Sequence, residues 1–586
     1  MISTRLSLSL SLSRKKLMSL VRGAGKSETA VILSPAEGEG SQERFFPLSC
    51  FCKKTIGQND GYFLGSLKPS ILAVALCFFL SPVASANNVA FANAKLLNKN
   101  ALLNTIAVQF DISWDNAWYN ATSNDAVWVF GKYCLSDCAD GGTGTWHHMT
   151  IGGLFTHGSG SPSIDIFVPS DKKGAFVQLQ NFGDTGTVSK TGTQLVWDYG
   201  ADGVSDTQAT QSGMKFRLFA IEMVYIPEGS FTAGDGASAN SLGLAGNSLW
   251  GITSESEITT TNSSGNWQYQ SGGNSGEANT DEIFTIPAAF PKGYGAFYLM
   301  KYEMSQGQYV RFLNTLTRTQ QQTRVASDIS GDAVANNFVM VDSDGSPNRN
   351  TIQCPTTGNG TSPARVIFNT GSRDSRAASD ISWPDLMAYA DWAGLRPITE
   401  LEFEKAARGP EAPVAGEYAW GTTNITACDT ISGTEDGTEY CATGGANCNY
   451  NYAGFTNGDG DSGPLRVGIF ATGSSDTREK SGAGYYGNLD LTGNESERTV
   501  TVGNATGRAF TGTHGDGALS TNGNADVADW PGYSSGEVTG AAGSGFRGGD
   551  GYSGADSAGV SDRETAALED ATRVGNFGGR VGRTAP

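Results

Sequence analysis

The chain has little positive charge and few histidines. Its 586 residues include 40 Lys and Arg against 59 Asp and Glu, which gives a net charge of −19. Binding to phosphate backbones or anionic membranes needs clustered Lys and Arg, so this balance argues against both surfaces. The chain has only 4 His, too few for a convincing zinc site beside the cysteines.

Cysteine is absent from the last part of the chain. Of 9 cysteines, none follows Cys448. Six follow Ala86, an even number that suits disulfides in an oxidising compartment. These six are Cys134, Cys138, Cys354, Cys428, Cys441 and Cys448. Cys134 and Cys138 are close enough in sequence to pair across a turn.

The apolar run Ile71–Leu80 is too short to span a bilayer. Lys68 precedes it, and the small residues Ala84-Ser85-Ala86 follow it, as in a secretory signal peptide over residues 69–86. We therefore expect export, with no transmembrane segment in the mature chain. We interpret residues 1–68 as an over-extended or disordered leader, with a genuine targeting segment as the alternative.

Residues 87–221 contain short apolar or alternating runs separated by Gly, Asn and Asp, a pattern that predicts an all-β sandwich. The predicted strands are Ile106–Ile112, Ala126–Val129, Ile164–Val168, Ala175–Leu179, Gln194–Trp197 and Phe216–Ile221.

Two helices are predicted in Ile381–Gly409, ISWPDLMAYADWAGLRPITELEFEKAARG. Apolar residues follow Asp385 at helical spacing up to Gly394, where a left-handed cap is favoured. Thr399 and Glu402 then have the spacing of a capping box, followed by an apolar stripe. The stripe consists of Leu401, Phe403, Ala406 and Ala407.

This stretch resembles the central signature of the formylglycine-generating enzyme, or sulfatase-modifying factor, superfamily. It departs from that signature at Pro397, Ile398 and Phe403. The resemblance extends over residues 222–586 and includes Met223–Phe231, Phe297–Asn314 and Gly493–Arg498. It implies an α+β fold, in which a C-type-lectin-like domain with few helices and many loops follows the sandwich.

The resemblance also implies structural calcium, a hard cation that prefers oxygen ligands. One candidate site has Asp490, Leu491, Gly493 and Glu495 as ligands. A second has Asn449, Asn451, Asp459 and Asp461, and a solvated polar turn is the alternative there.

In catalytic members of the superfamily, two late cysteines bind copper and activate oxygen against a substrate cysteine. The corresponding positions here are about Ser553 and Ala558. A hydroxyl and a methyl group cannot hold soft Cu(I), so we expect neither copper nor oxidase activity of this type. The alternative is a formylglycine-generating oxidase that acts on a sulfatase cysteine, or another oxidoreductase of the superfamily.

The late segment from Arg547 also resembles diversity-generated variable proteins, which share this fold and bind ligands near the C-terminus. Its mixture of Tyr, Ser, Gly and Asp is typical of adaptable binding surfaces. We therefore predict a binding module for an extracellular protein or glycan rather than an enzyme. The predicted surface consists of Arg547, Tyr552, Ser553, Asp556, Arg563 and Phe577.

Overall fold

The computed structural model describes residues 88–586 except 244–247, 264–265, 332–333, 335–337, 342–348, 356–358, 360, 452–453, 456–461 and 474. The predicted leader, the signal peptide, Asp459 and Asp461 lie outside the described residues.

Strands outnumber helices among the described residues, as expected for an α+β fold. The strands are β1 Ala90–Asn100, β2 Thr105–Trp118, β3 Asp125–Cys134, β4 His147–His148, β5 Ile151–Thr156, β6 Ser159–Ser161, β7 Ile164–Phe167, β8 Ala175–Leu179, β9 Thr185–Trp197, β10 Lys215–Ile226, β11 Phe231–Ala233, β12 Trp250–Ile252, β13 Ile258–Thr259, β14 Thr285–Ile286, β15 Phe297–Met300, β16 Ile431–Ser432, β17 Tyr440–Cys441, β18 Ser496–Val500, β19 Tyr533–Ser534, β20 Glu537–Val538, β21 Ser544–Arg547, β22 Phe577–Gly578 and β23 Gly582–Thr584. The helices are α1 Gln306–Leu313, α2 Arg318–Arg324, α3 Trp383–Trp392, α4 Glu400–Arg408, α5 Arg478–Ser481 and α6 Ala505–Arg508. None of these described helices is long and apolar enough to cross a membrane.

Two antiparallel sheets contain all the strands from β1 to β10, together with β15 and β23. One has the order β1-β2-β9-β5, with β6 also paired to β9. The other has the order β23-β15-β10-β3-β8-β7, with β4 also paired to β3. Each of the six strands predicted before residue 222 overlaps a strand of these sheets. The sequence pattern missed β1, because most residues of this edge strand are exposed and no apolar alternation marks it.

Both faces of β3 are covered, and all ten of its residues are buried. Val127 and Val129 pack in one apolar cluster with Phe110 of β2. Trp128 and Phe130 alternate with them and pack in a second cluster that includes Trp392 of α3. Because successive side chains of a strand point to opposite faces, the shared sheet joins the two cores.

The predicted domain boundary between Ile221 and Glu222 lies inside β10. This strand pairs with β3 from Lys215 to Val224 and with β15 from Met223 to Ile226. Sequence on either side of the boundary therefore contributes to one sheet. The prediction of a separate sandwich domain is not confirmed.

The predicted helix pair is confirmed, with small changes at its ends. Helix α3 begins at Trp383, two residues before Asp385, because Ser382 is the N-cap and forms a capping box with Asp385. Gly394 follows its C-terminus with φ +68°, a backbone conformation that favours glycine. Thr399 and Glu402 form the predicted capping box of α4.

Helix α4 differs from the prediction in its burial. The sequence predicts one apolar stripe, but all nine residues of α4 are buried. Four of its five charged residues are held in ion pairs, including Arg396–Glu402 and Arg408–Glu404. The fifth, Lys405, donates hydrogen bonds to the carbonyls of Pro227 and Tyr294. An alternation of apolar and charged residues cannot reveal a charged face that other segments cover.

Candidate functional site

A small pocket lies where the sequence predicts the ligand-binding surface. It has a volume of about 170 Å³, and Ser553, Ser557 and Phe577 contribute to its lining. The carboxylates Asp550, Asp562 and Glu564 also line it. The strands β21, β18 and β22 form one sheet beside these residues. We call this site the late pocket.

Asp550 fixes the loop on one side of the late pocket. Its Oδ1 accepts hydrogen bonds of 2.9 Å from the backbone N–H groups of Tyr552 and Ser553. Its Oδ2 accepts hydrogen bonds from the Ser496 hydroxyl at 2.7 Å and from the Asn576 amide at 2.9 Å. Through these four contacts Asp550 positions the loop.

The other two carboxylates have fewer partners. Asp562 accepts a hydrogen bond of 3.2 Å from the Glu564 backbone N–H, and burial raises the pKa of Asp562 to about 6. Glu564 is exposed and lines the pocket. These two groups give the late pocket an acidic character.

Arg547 and Arg563 are not part of an exposed surface, in contrast to the prediction. Neither arginine side chain has any exposed surface. Arg563 binds Glu400 of α4 through two nitrogens, at 2.6 Å and 3.0 Å. Arg547 contacts Glu400 at 3.2 Å and Glu404 at 3.3 Å. Both arginines therefore neutralise carboxylates of a buried helix.

The other four predicted surface residues have different environments. Ser553 and Phe577 line the late pocket and are half-buried. Tyr552 is half-buried, and its hydroxyl donates a hydrogen bond of 3.2 Å to the Ser462 carbonyl. Asp556 is exposed but does not line the pocket. The structure thus brings three of the six residues, Arg547, Ser553 and Phe577, together at the pocket lining, although the Arg547 side chain is fully buried.

The two positions that correspond to copper-binding cysteines, Ser553 and Ala558, have different environments. Ser553 lies on the pocket lining, whereas Ala558 has no exposed surface and packs in an apolar cluster with Trp420 and Cys448. Burial raises the pKa of the Cys448 thiol well above its usual value, and its sulfur donates to the Thr492 carbonyl at 3.2 Å. This thiol is therefore held in its neutral, unreactive form.

Two disulfides occur among the described cysteines, in agreement with the prediction that the chain forms disulfides. They join Cys134 to Cys138 and Cys428 to Cys441. Cys354 and Cys448 are buried in different apolar clusters. The described thiols are therefore not assembled as a pair at the late pocket.

Several buried carboxylates lie near the predicted calcium ligands. Asp490 accepts a hydrogen bond of 2.6 Å from the Gly468 N–H, and burial raises its pKa to about 6. Glu495 is 1% exposed, and neither of its carboxylate oxygens has a hydrogen-bond partner among the described residues. Burial, with Glu303 nearby, raises the pKa of Glu495 well above its usual value.

The remaining calcium candidates are tied into the loops by hydrogen bonds. The Asn449 amide donates at 3.0 Å to both the Gly463 carbonyl and the Asn494 side chain. The Asn451 N–H donates to the Ser553 carbonyl at 2.9 Å. The carbonyl of Gly493 accepts from the Glu495 N–H at 3.1 Å. Leu491 is buried in an apolar cluster, and only its backbone oxygen could serve as a ligand. No cluster of three or more His, Cys, Asp or Glu positioned for a metal ion occurs among the described residues.

Together, the capped helix pair, the loop-rich α+β fold and the late pocket define a domain of the sulfatase-modifying type. The comparison with family models agrees, because residues 208–564 match the sulfatase-modifying factor enzyme 1-like domain. The chain belongs to this family. The match begins before Glu222, inside the segment expected to be a separate sandwich. No curated protein matches the chain.

Sequence reasoning missed Glu400, Glu404 and Asp562 as important residues. Glu400 and Glu404 lie in the second predicted helix, where they neutralise the two late arginines. One signal was available, since a fully buried Arg needs an acidic partner. The sequence does not show which arginines are buried, and so the pairing could not be derived from it.

Proposed function

We propose that the protein is an exported recognition module, which binds a basic group of an extracellular protein or glycan in the late pocket. The observation that carries the proposal is the presence of Asp562 and Glu564 on the lining. Arg547 also lines the pocket, but its charge is compensated by Glu400 and Glu404. An ammonium or guanidinium group would gain charge-assisted hydrogen bonds there.

The volume of the late pocket supports a single side chain or sugar substituent as the bound group. About 170 Å³ is below the usual range of roughly 300–1,000 Å³ for pockets that enclose small molecules. A larger ligand would therefore place one group inside and make its other contacts with the surrounding loops.

Oxidation of a substrate cysteine to formylglycine, as in catalytic members of the family, is the less favoured function. The copper chemistry of the family needs two thiolates, and no cysteine follows Cys448 in the sequence. Ser553 and the buried Ala558 offer no sulfur ligand. The disulfides support the export part of the proposal, because such bonds persist mainly in oxidising compartments.

Binding is tested with peptides in which one position is Lys, Arg, Gln or Glu, by fluorescence anisotropy. We expect Lys or Arg peptides to bind, Ser557→Trp to abolish binding by filling the pocket, and Asp562→Asn to weaken it. Ser534→Trp is the matched control, since Ser534 is exposed in β19 and does not line the pocket. Equal binding of the Glu peptide would contradict the proposal.

Catalysis is tested separately. The purified protein is incubated with Cu(I), oxygen and a sulfatase-type peptide that contains the substrate cysteine, and the peptide is analysed by mass spectrometry. We expect no formylglycine above the enzyme-free blank. Its formation would establish the oxidase alternative and reject the purely recognition role.

We also propose a structural calcium ion close to Asp490 and Glu495. The buried carboxyl oxygens of Glu495, which have no hydrogen-bond partner among the described residues, support this, because buried polar atoms need a partner and a cation would supply one. A chelator should then lower the melting temperature of the wild-type protein, and Glu495→Gln should be much less sensitive to it. A wild-type melting temperature that does not change with chelator would show that no such ion stabilises the fold.

A further inference from the structure

A second and larger pocket lies between the β2–β3 loop and the segment around Tyr485. Its volume is about 420 Å³, and it shares no lining residue with the late pocket. Four aromatic residues contribute to its lining, namely Trp118, Tyr302, Tyr485 and Tyr486. We call this site the aromatic pocket.

The aromatic pocket is held in shape by contacts between its two sides. The Ser123 hydroxyl donates a hydrogen bond of 2.9 Å to the Tyr486 carbonyl, and the Trp118 indole N–H donates to Ser123 at 3.3 Å. A Cβ atom on Gly487 would lie 3.0 Å from the Trp118 ring, so the backbone there packs closely against the indole. These contacts preorganise the pocket before any ligand binds.

The charged residues that line the aromatic pocket are both cations. None of the described residues that line it is acidic, although the whole chain has a net charge of −19. Lys301 and Arg478 are its two cations, and the Lys301 ammonium lies 3.1 Å from Glu222. Lys301 is therefore already neutralised, which leaves Arg478 as the cation for a ligand.

Arg478 has unused hydrogen-bonding capacity. Its Nη2 donates to the carbonyls of Ala407 and Ala419, at 3.3 Å and 2.7 Å, and its guanidinium lies 5.3 Å from the Tyr485 ring. Its buried Nε has no hydrogen-bond partner among the described residues. This nitrogen is enclosed by the protein, so a ligand in the pocket would be bound by the exposed part of the half-buried Arg478 guanidinium, which lines the pocket.

We propose that the aromatic pocket binds an acidic oligosaccharide. The half-buried rings of Trp118 and Tyr485 offer apolar surface for the C–H faces of sugar rings, whereas Tyr302 and Tyr486 are buried. Asn116, Asn120 and Thr122 offer polar groups for hydroxyls. The Arg478 guanidinium pairs with the sugar carboxylate, for which its planar fork is suited. This site is independent of the basic-group recognition assigned to the late pocket.

The test is calorimetric titration of the full mature chain with trigalacturonate, and with maltotriose as the neutral probe. We expect trigalacturonate to bind at least tenfold more tightly, and added salt to weaken its binding. Arg478→Gln should reduce the affinity for trigalacturonate about tenfold, since a hydrogen bond to a charged group is lost. Its affinity for maltotriose should not change.

Ser481→Trp keeps the test valid if the arginine variant does not fold. Ser481 lines the aromatic pocket at the end of α5, so an indole there should fill it and abolish trigalacturonate binding. Ser534→Trp is again the control and should bind normally, while Ser557→Trp should affect only the late pocket. Failure of trigalacturonate to bind the wild type, or equal affinity for maltotriose, would overturn the assignment.

Discussion

Replacement of Arg563 by methionine should destabilise the fold strongly, although the sequence suggests a surface residue. The substitution removes two charged hydrogen bonds to Glu400, at 2.6 Å and 3.0 Å, and one of 3.0 Å to the Gln270 carbonyl. Glu400 is fully buried, and after the substitution its carboxylate keeps the contact with the Arg547 guanidinium at 3.2 Å.

The magnitude follows from the cost of an uncompensated buried charge. Removal of one partner from a buried ion pair costs about 3–5 kcal/mol, and methionine preserves much of the packing volume. Three further groups limit the loss, because Arg547, the Thr501 hydroxyl and the Val502 N–H still contact the Glu400 carboxylate. We therefore expect about 3 kcal/mol, the lower end of this range.

The pH dependence provides a second readout. Burial opposes ionisation of Glu400, but Arg563 and then Arg547 outweigh it and lower the pKa of this carboxyl below its usual value. A lowered folded-state pKa stabilises the fold above the unfolded pKa, and this stabilisation disappears as the pH falls through the folded value. The difference between wild type and Arg563→Met should therefore be largest near neutral pH and shrink in acid.

Urea unfolding at 25 °C measures the effect, and a lower midpoint with an unchanged slope would indicate a change in stability alone. Lys480→Met is the control, because Lys480 and Asp476 pair at 2.7 Å with 60% and 71% of their side chains exposed. This change should have little measurable effect. A loss below about 1 kcal/mol for Arg563→Met would refute the role assigned to the buried pair.

Three further predictions concern the same core. Trp392→Ala should lower the free energy of unfolding by about 3–5 kcal/mol in urea titrations, since this indole is buried between β3 and α1. Ser382→Ala should cost about 1 kcal/mol through loss of the α3 cap, measurable in the same assay, with exposed Ser534→Ala as control. Burial, with Asp516 and Asp526 nearby, raises the pKa of Asp391 to about 7, so its contribution to stability should be lost as the pH rises from about 4 to 7. Melting temperatures across this range should vary less for Asp391→Asn, and an equal slope in both proteins would contradict the assignment.

The sequence predicted most reliably those features that depend on local spacing. The Thr399–Glu402 capping box and the left-handed Gly394 are determined by residues three or four positions apart, and both are confirmed. Strand β8 matches its prediction over Ala175–Leu179, where the short length of the apolar run and the turn residues around it favour a buried strand. The calcium sites and the signal peptide stay predictions.

Features that depend on distant pairing were not predictable in the same way. Glu400 and Arg563 are 163 residues apart, and Glu404 and Arg547 are 143 apart. Each residue, read alone, suits an exposed position, since charged residues are mostly found at the surface. Only the fold shows that these charges are enclosed together and neutralise one another.

The buried arginines also change how the late segment should be interpreted. Arg547 and Arg563 join the segment to α4, and Arg583 of β23 joins the chain end to the region of α3 through the Gly394 carbonyl. Arg547 and Arg563 stand on either side of the lining residues Ser553 and Ser557 in the sequence. Because Arg547 and Arg563 hold the backbone of this segment, side chains on the pocket lining between them can be substituted without loss of the fold. Ser553, Ser557 and Glu564 are therefore the positions where a change should alter ligand preference, whereas changes at Arg547 or Arg563 should first reduce stability.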